Sequence, residues 1–237
     1  MNSLEKNVDI SPAQRDFIRA CSDAGVLKFN PNNGFVLKSG RLSPWFFQAW
    51  ELMKDAQWLA MLGKIYVAAL LENFSDKEQW VIDADILYGP AYKGIPIASV
   101  TAQEYYNQTK KNIGFASHRK EVKDHGEGGT VFGMSVKDKT AILLDDVMTA
   151  GTALTESQEA ITQDGGNLSG AIVLLDRQEV KEEGDGISAL NRIRNEAGIK
   201  IVSALDYWTI RQAIREWLIG DDQVWQAMDI YFQKYGA

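Results

Sequence analysis

Between residues 85 and 205, short apolar runs alternate with stretches of helical spacing, and no other feature limits the fold of this chain as strongly. The runs lie at 85–88, 113–116, 140–144, 170–175 and 199–205, with helical patterns at 95–106, 153–163 and 187–196. Near-continuous apolar strands joined by helices predict an α/β fold with a central parallel sheet flanked by helices. Upstream, Ser11 followed by Pro12 marks the start of a helix that runs to about Gly25. Short strands follow at 26–29 and 35–38. A helix from about Asp55 then carries Leu59, Leu62, Tyr66, Ala69 and Leu70 on one face, the spacing of a helix packed on a sheet. Two more helices are expected at 209–219 and 223–235. No repeat, low-complexity linker or composition break divides the sequence, so a single domain over 1–237 is expected.

With 45% apolar and 24% charged residues, the chain can bury one sizeable core. Its longest apolar stretch, 65–71, is about a third of the ~20 residues that cross a bilayer, so no membrane span is expected. Residues 1–17 hold no apolar run of the kind a secretory signal needs, and a cytoplasmic location is expected. Cys21, the single cysteine, cannot form an internal disulfide; its spacing with Phe17, Ile18 and Ala24 makes it a core thiol. The net charge of −7 is spread without long blocks of one sign, which argues against a surface built to neutralise nucleic-acid phosphates. A small anionic substrate needs only a local cluster of cations, and both histidines, His118 and His125, fall in one short segment.

The most informative segment is 141–153, Ala-Ile-Leu-Leu-Asp-Asp-Val-Met-Thr-Ala-Gly-Thr-Ala: a buried strand, two adjacent carboxylates, a loop of small residues, then a helix. Small residues let successive backbone N–H groups point into one concavity, and the positive end of the following helix favours a phosphate there. Thr149 and Thr152 add hydroxyl donors. Asp145 and Asp146 can accept hydrogen bonds from vicinal ribose hydroxyls or hold a magnesium-bound water. A plain strand end with a helix cap would need one such residue; two consecutive acids after four apolar residues are a costly strand end without a ligand or partners. Neither the Gly-x-x-x-x-Gly-Lys-Ser/Thr nor the Gly-x-Gly-x-x-Gly phosphate motif is present.

A second segment, 117–130, carries Arg119, Lys120, Lys123 and His125 between Glu121, Asp124 and Glu127, followed by Gly126, Gly128 and Gly129. Almost without apolar residues, it has nothing to anchor it in a core. A glycine-hinged loop with these cations suits a lid that closes on an anionic substrate and excludes water. At 89–94, Gly-Pro-Ala-Tyr-Lys-Gly follows a strand and precedes a helix, so its backbone and Lys93 can meet a diphosphate.

The string DDVMTAGTA at 145–153 resembles the signature of the type I phosphoribosyltransferases, which bind 5-phosphoribosyl 1-diphosphate (PRPP). LKSGRLSPWFF at 37–47, YGPAYKGIPIA at 88–98, HRKEVKDHGEGG at 118–129 and LDRQE at 175–179 narrow the resemblance to the orotate phosphoribosyltransferase family. Together these stretches span about 26–180, and little family signal lies beyond Gly184. Departures are a longer turn at 30–33, Gln48 where the family tends to have Asn, and His118 in place of another Asn.

The resemblance implies a core at about 55–206 and a small hood from about 1–50 with C-terminal elements. It implies that Lys38, Tyr92, Lys93, Arg119, Lys120, Lys123, His125 and the run Asp145, Asp146, Val147, Met148, Thr149, Ala150, Gly151, Thr152 and Ala153 bind the donor, with a cis peptide bond before Tyr92. Lys38, Phe46, Phe47 and Arg177 are unremarkable by composition; the resemblance makes them base-site residues, joined by Thr149. Arg177 would hold the carboxylate of orotate, since a planar fork matches a carboxylate with two parallel hydrogen bonds. Lys123, Asp145 and Asp146 become the catalytic residues. Mg2+ would be held mainly by the substrate diphosphate and waters, with Asp145 or Asp146 reaching it through water. The assembly implied is a homodimer in which the lid lysine acts on the neighbouring site. Two other readings stand beside this one: a phosphoribosyltransferase for another base, and a non-catalytic, donor-sensing regulator that would need a basic face for nucleic acid.

Overall fold

In a computed structural model, residues 6, 8–76, 81–118, 131–148, 151–217 and 222–237 are described. They form, in order, α1 (Pro12–Asp23), β1 (Leu27–Phe29), β2 (Phe35–Val36), β3 (Leu42–Ser43), β4 (Trp45–Phe47), a 3-10 turn (Ala49–Met53), α2 (Ala56–Phe74), β5 (Ser75–Asp76), β6 (Val81–Ile82), β7 (Ile86–Tyr88), α3 (Gly94–Thr109) and β8 (Gly114–His118). The chain continues with β9 (Val131–Gly133), β10 (Thr140–Asp145), α4 (Thr152–Gln163), β11 (Asn167–Asp176), α5 (Ala189–Ala197), β12 (Lys200–Asp206), α6 (Tyr207–Trp217) and α7 (Asp222–Tyr235). These elements divide into two compact units. The first takes Met1–Leu52, Leu175–Arg192 and Leu205–Ala237; the second takes Met53–Leu174 and Ile193–Ala204.

The second unit is built on a six-stranded sheet in the order β12-β11-β10-β7-β8-β9. β10 pairs in parallel with β7 and β11, and β7 in parallel with β8. The expected parallel sheet is corrected at one edge, where β9 runs antiparallel to β8. Three residues are too few for any periodicity to show, so nothing in the sequence marks β9 as a strand. The middle strands are buried throughout, Ile86, Leu87 and Tyr88 in β7 and Ala141 to Asp145 in β10, as expected of strands covered on both faces. α2 starts at its cap Asp55, whose carboxylate accepts from Trp58 N–H at 3.0 Å. Leu62, Tyr66, Ala69 and Leu70 are buried as expected, whereas Leu59 is only half-buried and Trp58 is buried in its place.

In the first unit, α1 opens on Ser11 with a complete capping box: Ser11 Oγ accepts from Gln14 N–H and Gln14 Oε1 accepts from Ser11 N–H. Pro12 fits the first turn, where no intrahelical donor is missed. Cys21 is fully buried among the apolar residues of this helix, and burial pushes its thiol pKa well up. β1 pairs antiparallel with β4, and β2 with β3. α6 and α7 are joined by Arg211, only 2% exposed, whose guanidinium donates to Asp229 at 2.5 and 2.8 Å. The Tyr207 and Phe232 rings stack beside this pair with centroids 4.0 Å apart.

The turn from β7 to α3 is tightly closed. A Cβ on Gly94 would lie 2.3 Å from Pro90 Cδ and 2.9 Å from Leu144 O, so only glycine lets α3 begin this close to β10. Gly94→Ala should therefore cost about 1–3 kcal/mol of stability, as overpacking in a closed site does. Urea denaturation measures this, and an unchanged midpoint would show that the turn opens freely.

Candidate active site

β10 delivers two carboxylates to the carboxyl end of the sheet, the place where open α/β sheets bind ligands. Asp145 and Asp146 are each 8% exposed. Their backbone is fixed from below: Tyr66 of α2 donates its hydroxyl to the Asp145 carbonyl at 2.6 Å, and Leu174 N–H donates to the Asp146 carbonyl at 2.9 Å. Tyr66 appears in the sequence only as a core residue of α2; its buried hydroxyl, which needs a partner, is the signal that ties it to this strand end.

The two acids differ in their side-chain partners. Asp146 Oδ2 accepts from Lys93 Nζ at 2.5 Å, while Asp145 Oδ1 accepts from the Asp146 backbone N–H at 2.9 Å. Burial, then the charge of Asp146, pushes Asp145 up from the usual carboxylate range to about 7, against the lowering influence of its backbone hydrogen bond and of Lys93. Lys93 comes from the turn 89–94, so the structure brings together two segments that lie 53 residues apart in sequence. The peptide bond between Ala91 and Tyr92 is cis, as the resemblance implies, and Tyr92 is 68% exposed beside it.

Beyond the acids, Val147 is half-buried and Met148 is 7% exposed. Gly151 caps α4 with φ +74°, in the left-handed region that favours glycine. Thr152 and Ala153 are the first residues of α4, so the expected order of strand, acids, loop and helix N-terminus is present. Thr149, Ala150 and the lid residues Arg119, Lys120, Lys123 and His125 lie outside the described residues. His118, the last residue of β8, is 9% exposed and stacks on Tyr88, with Nδ1 3.2 Å from the Tyr88 hydroxyl.

Of the residues assigned to base recognition, Lys38, Phe46, Phe47 and Arg177 belong to the first unit. Lys38 is exposed, while Phe46 and Phe47 are half-buried, the former against Phe35 with ring centroids 5.7 Å apart. Gln48 accepts from Lys28 Nζ at 2.8 Å. Arg177 Nε donates to Glu179 Oε1 at 2.7 Å, its Nη2 donates to Ser43 Oγ at 2.9 Å, and its guanidinium lies 3.7 Å from the Trp45 ring centroid. Ser43, Trp45 and Glu179 sit inside the quoted motifs, but sequence gave them no role. Their partner is one side chain that lies 134 residues from Ser43 along the chain.

No cluster of three or more metal-binding side chains occurs among the described residues. Asp145 and Asp146 nevertheless supply hard oxygen donors of the type magnesium takes, and an ion that keeps most of its waters needs only one or two carboxylates. The pair therefore fits a magnesium held largely by a phosphorylated ligand.

Residues 60–198 match the phosphoribosyl transferase domain family. The chain is 38% identical over 226 residues to an orotate phosphoribosyltransferase of Pseudomonas paraeruginosa, covering 94% of this chain and 98% of that protein. It is 42% identical over 196 residues to an orotate phosphoribosyltransferase of Salmonella newport, covering 83% and 85%. The crystal structure of the orotate phosphoribosyltransferase of Francisella tularensis superposes with a TM-score of 0.78 at 31% identity, covering 94% of this chain and all of that one. The chain belongs to the phosphoribosyl transferase family and, within it, to the orotate phosphoribosyltransferases.

Proposed function

We propose that this chain transfers ribose 5-phosphate from PRPP to N1 of orotate, giving orotidine 5′-monophosphate and diphosphate, a step of pyrimidine (UMP) biosynthesis. The observation that carries the reading is the acidic pair at the end of β10: two buried carboxylates, one clasped by Lys93, set just ahead of a glycine-capped helix. A helix N-terminus suits the 5′-phosphate, and carboxylates suit the two ribose hydroxyls.

Breaking the bond at C1 leaves a cation-like sugar and a highly charged leaving group, so catalysis rests on positioning and on charge stabilisation. Lys93, with Arg119, Lys120, Lys123 and His125, would neutralise the departing diphosphate, while Asp145 and Asp146 hold the ribose. Magnesium, carried by the diphosphate and reached by Asp145 or Asp146 through water, would supply further neutralisation. Tyr92 and Lys38 complete the donor contacts. Lys38, Phe46, Phe47 and Thr149 take the planar ring, and Arg177 takes its carboxylate. The reading makes the enzyme a cytoplasmic homodimer that shares its lid across the interface, with no nucleic-acid or membrane partner; no described helix is long and apolar enough to cross a membrane.

Loss of orotate absorbance in the presence of PRPP and magnesium tests the reaction directly, with adenine, hypoxanthine and uracil as rival acceptors. A faster reaction with any rival would sink the assignment of the base. Arg177→Ala tests how that base is chosen. Glu179 keeps Arg41 at 3.7 Å after the change, so no buried charge is orphaned. Orotate binding should weaken by about 1.5–3 kcal/mol, the worth of hydrogen bonds to a charged group, while donor affinity stays near the parent value. Equal weakening of both ligands in calorimetric titrations would instead make Arg177 a residue of the fold.

A further inference from the structure

Arg177 enters the base-binding reading as a single side chain, yet the first unit surrounds it with a built frame. Glu179 takes the Nε–H and Ser43 takes an Nη2–H, so two different nitrogens are tied. Trp45, fully buried, lies against the guanidinium. Hydrogen bonds from two different nitrogens limit the rotation of the fork, and the ring beside it limits its displacement. Glu179 is itself held. Its side chain is 15% exposed and lies 3.7 Å from Arg41, whose two Nη groups donate to the Val180 and Lys181 carbonyls at 2.8 Å. The residues on either side of it are pinned by the C-terminal segment: Val180 N–H donates to the Tyr235 carbonyl at 2.8 Å, and Ala237 N–H donates to the Gln178 carbonyl at 3.0 Å. Tyr231 of α7 completes the enclosure. Its buried hydroxyl is pushed up to about 12, first by burial and then by the nearby Glu179 carboxylate, with Arg177 acting the other way.

We propose that Glu179 is a positioning residue for base specificity: by occupying the Nε edge of Arg177 it aims the remaining N–H groups at the carboxylate that distinguishes orotate from uracil. The proposal rests on the reading that Arg177 binds that carboxylate. It also gives α7 and the C-terminal residues, where the family motifs fall silent, a part in substrate choice.

The sign of the effect separates aiming from simple electrostatics. A second carboxylate beside Arg177 competes with a ligand carboxylate, so charge alone predicts that removing Glu179 tightens binding of an acidic ligand. Aiming predicts the reverse, because an untethered guanidinium must be ordered again by each ligand. The full-length protein is titrated with orotidine 5′-monophosphate and uridine 5′-monophosphate, which differ only in the carboxylate, and the ratio of their dissociation constants is read. Glu179→Ala should reduce the preference for orotidine 5′-monophosphate about tenfold, close to the worth of one charge-assisted hydrogen bond, with uridine 5′-monophosphate binding held within about twofold. Glu179→Gln keeps the reach and an acceptor for Nε–H and should retain the preference. Glu179→Asp keeps the charge but loses the reach, and should behave like Glu179→Ala.

A preference in Glu179→Ala that equals or exceeds the parent's overturns the proposal. So does parallel weakening of both nucleotides, which marks a residue of the fold, and so does rescue by Asp without rescue by Gln. Arg177→Ala is the control that separates the two levels. If it leaves the preference intact, the base-site reading itself falls; if it abolishes the preference while Glu179→Ala does not, only the positioning role falls.

Discussion

Asp146→Asn and Asp145→Asn are each expected to lower kcat/KM by about 10- to 1,000-fold while the protein stays folded, the range for losing one or two charge-assisted hydrogen bonds in the transition state. The fold should tolerate both changes because the strand end is held through backbone groups. Tyr66 donates to the Asp145 carbonyl and Leu174 to the Asp146 carbonyl, and an amide side chain disturbs neither bond. Lys93, whose side chain is 42% exposed, can turn to water when Asp146 loses its charge. Asp145 carries a further signature. Its carboxyl is raised from 3.8 to about 7, so the folded chain binds this proton more tightly than the unfolded chain does. The sign follows from linkage: between pH ~4 and ~7 the unfolded state has released a proton that the folded state still holds, so stability falls as pH rises through that window. Asp145→Asn removes this component. Relative to the parent, the variant should gain stability between pH 5 and pH 8, measured by urea denaturation at each pH. Near-normal steady-state kinetics in both variants would sink the ribose role of the pair.

The parts of this molecule that were legible in the sequence are those whose cause is local. The helix start at Ser11 and Pro12, the apolar run of β10 and the small-residue start of α4 depend on neighbours within a few residues, so pattern alone predicted them. The adjacency of Asp145 and Asp146 was legible for the same reason, and what it lacked was a partner. Lys93 reaches Asp146 only because β7 and β10 are neighbours in the sheet, a fact of topology rather than of spacing. The short hairpins of the first unit were harder. β2 and β3 have two residues each, too few to alternate, and the frame around Arg177 draws on Ser43, Trp45, Glu179 and Tyr231 from three separate stretches of chain. Family motifs named some of these residues without saying what they touch. α7 shows the limit most clearly: it matches no motif, yet its Tyr231 flanks the side chain on which base choice is proposed to turn.

Replacing Lys123 by alanine is expected to lower kcat by about 10²- to 10³-fold, with a smaller change in donor binding, as for losing one preorganised electrostatic donor that matters most in the transition state. Lys123 lies in sequence between Arg119 and His125, in a segment with few apolar residues and three glycines, the composition on which its proposed role over the departing diphosphate rests. For the same reason stability should be nearly unchanged. A lysine acting on its own chain and one acting on a neighbouring subunit give the same single-variant kinetics, so a mixing experiment is needed to tell them apart. Chains carrying Lys123→Ala lack the lid cation, and chains carrying Asp146→Asn lack the ribose contact. If the lysine acts in trans, a hybrid dimer has one site in which both groups are intact. Random exchange yields about half hybrids, each with one working site of two, so about a quarter of the parent activity should return if the sites are independent. If Lys123 serves its own chain, every site in the mixture carries one defect and the activity stays at the level of the parent variants. Absence of recovery, once subunit exchange has been verified by mass, would therefore refute sharing of the lid and place Lys123 over the site of its own chain.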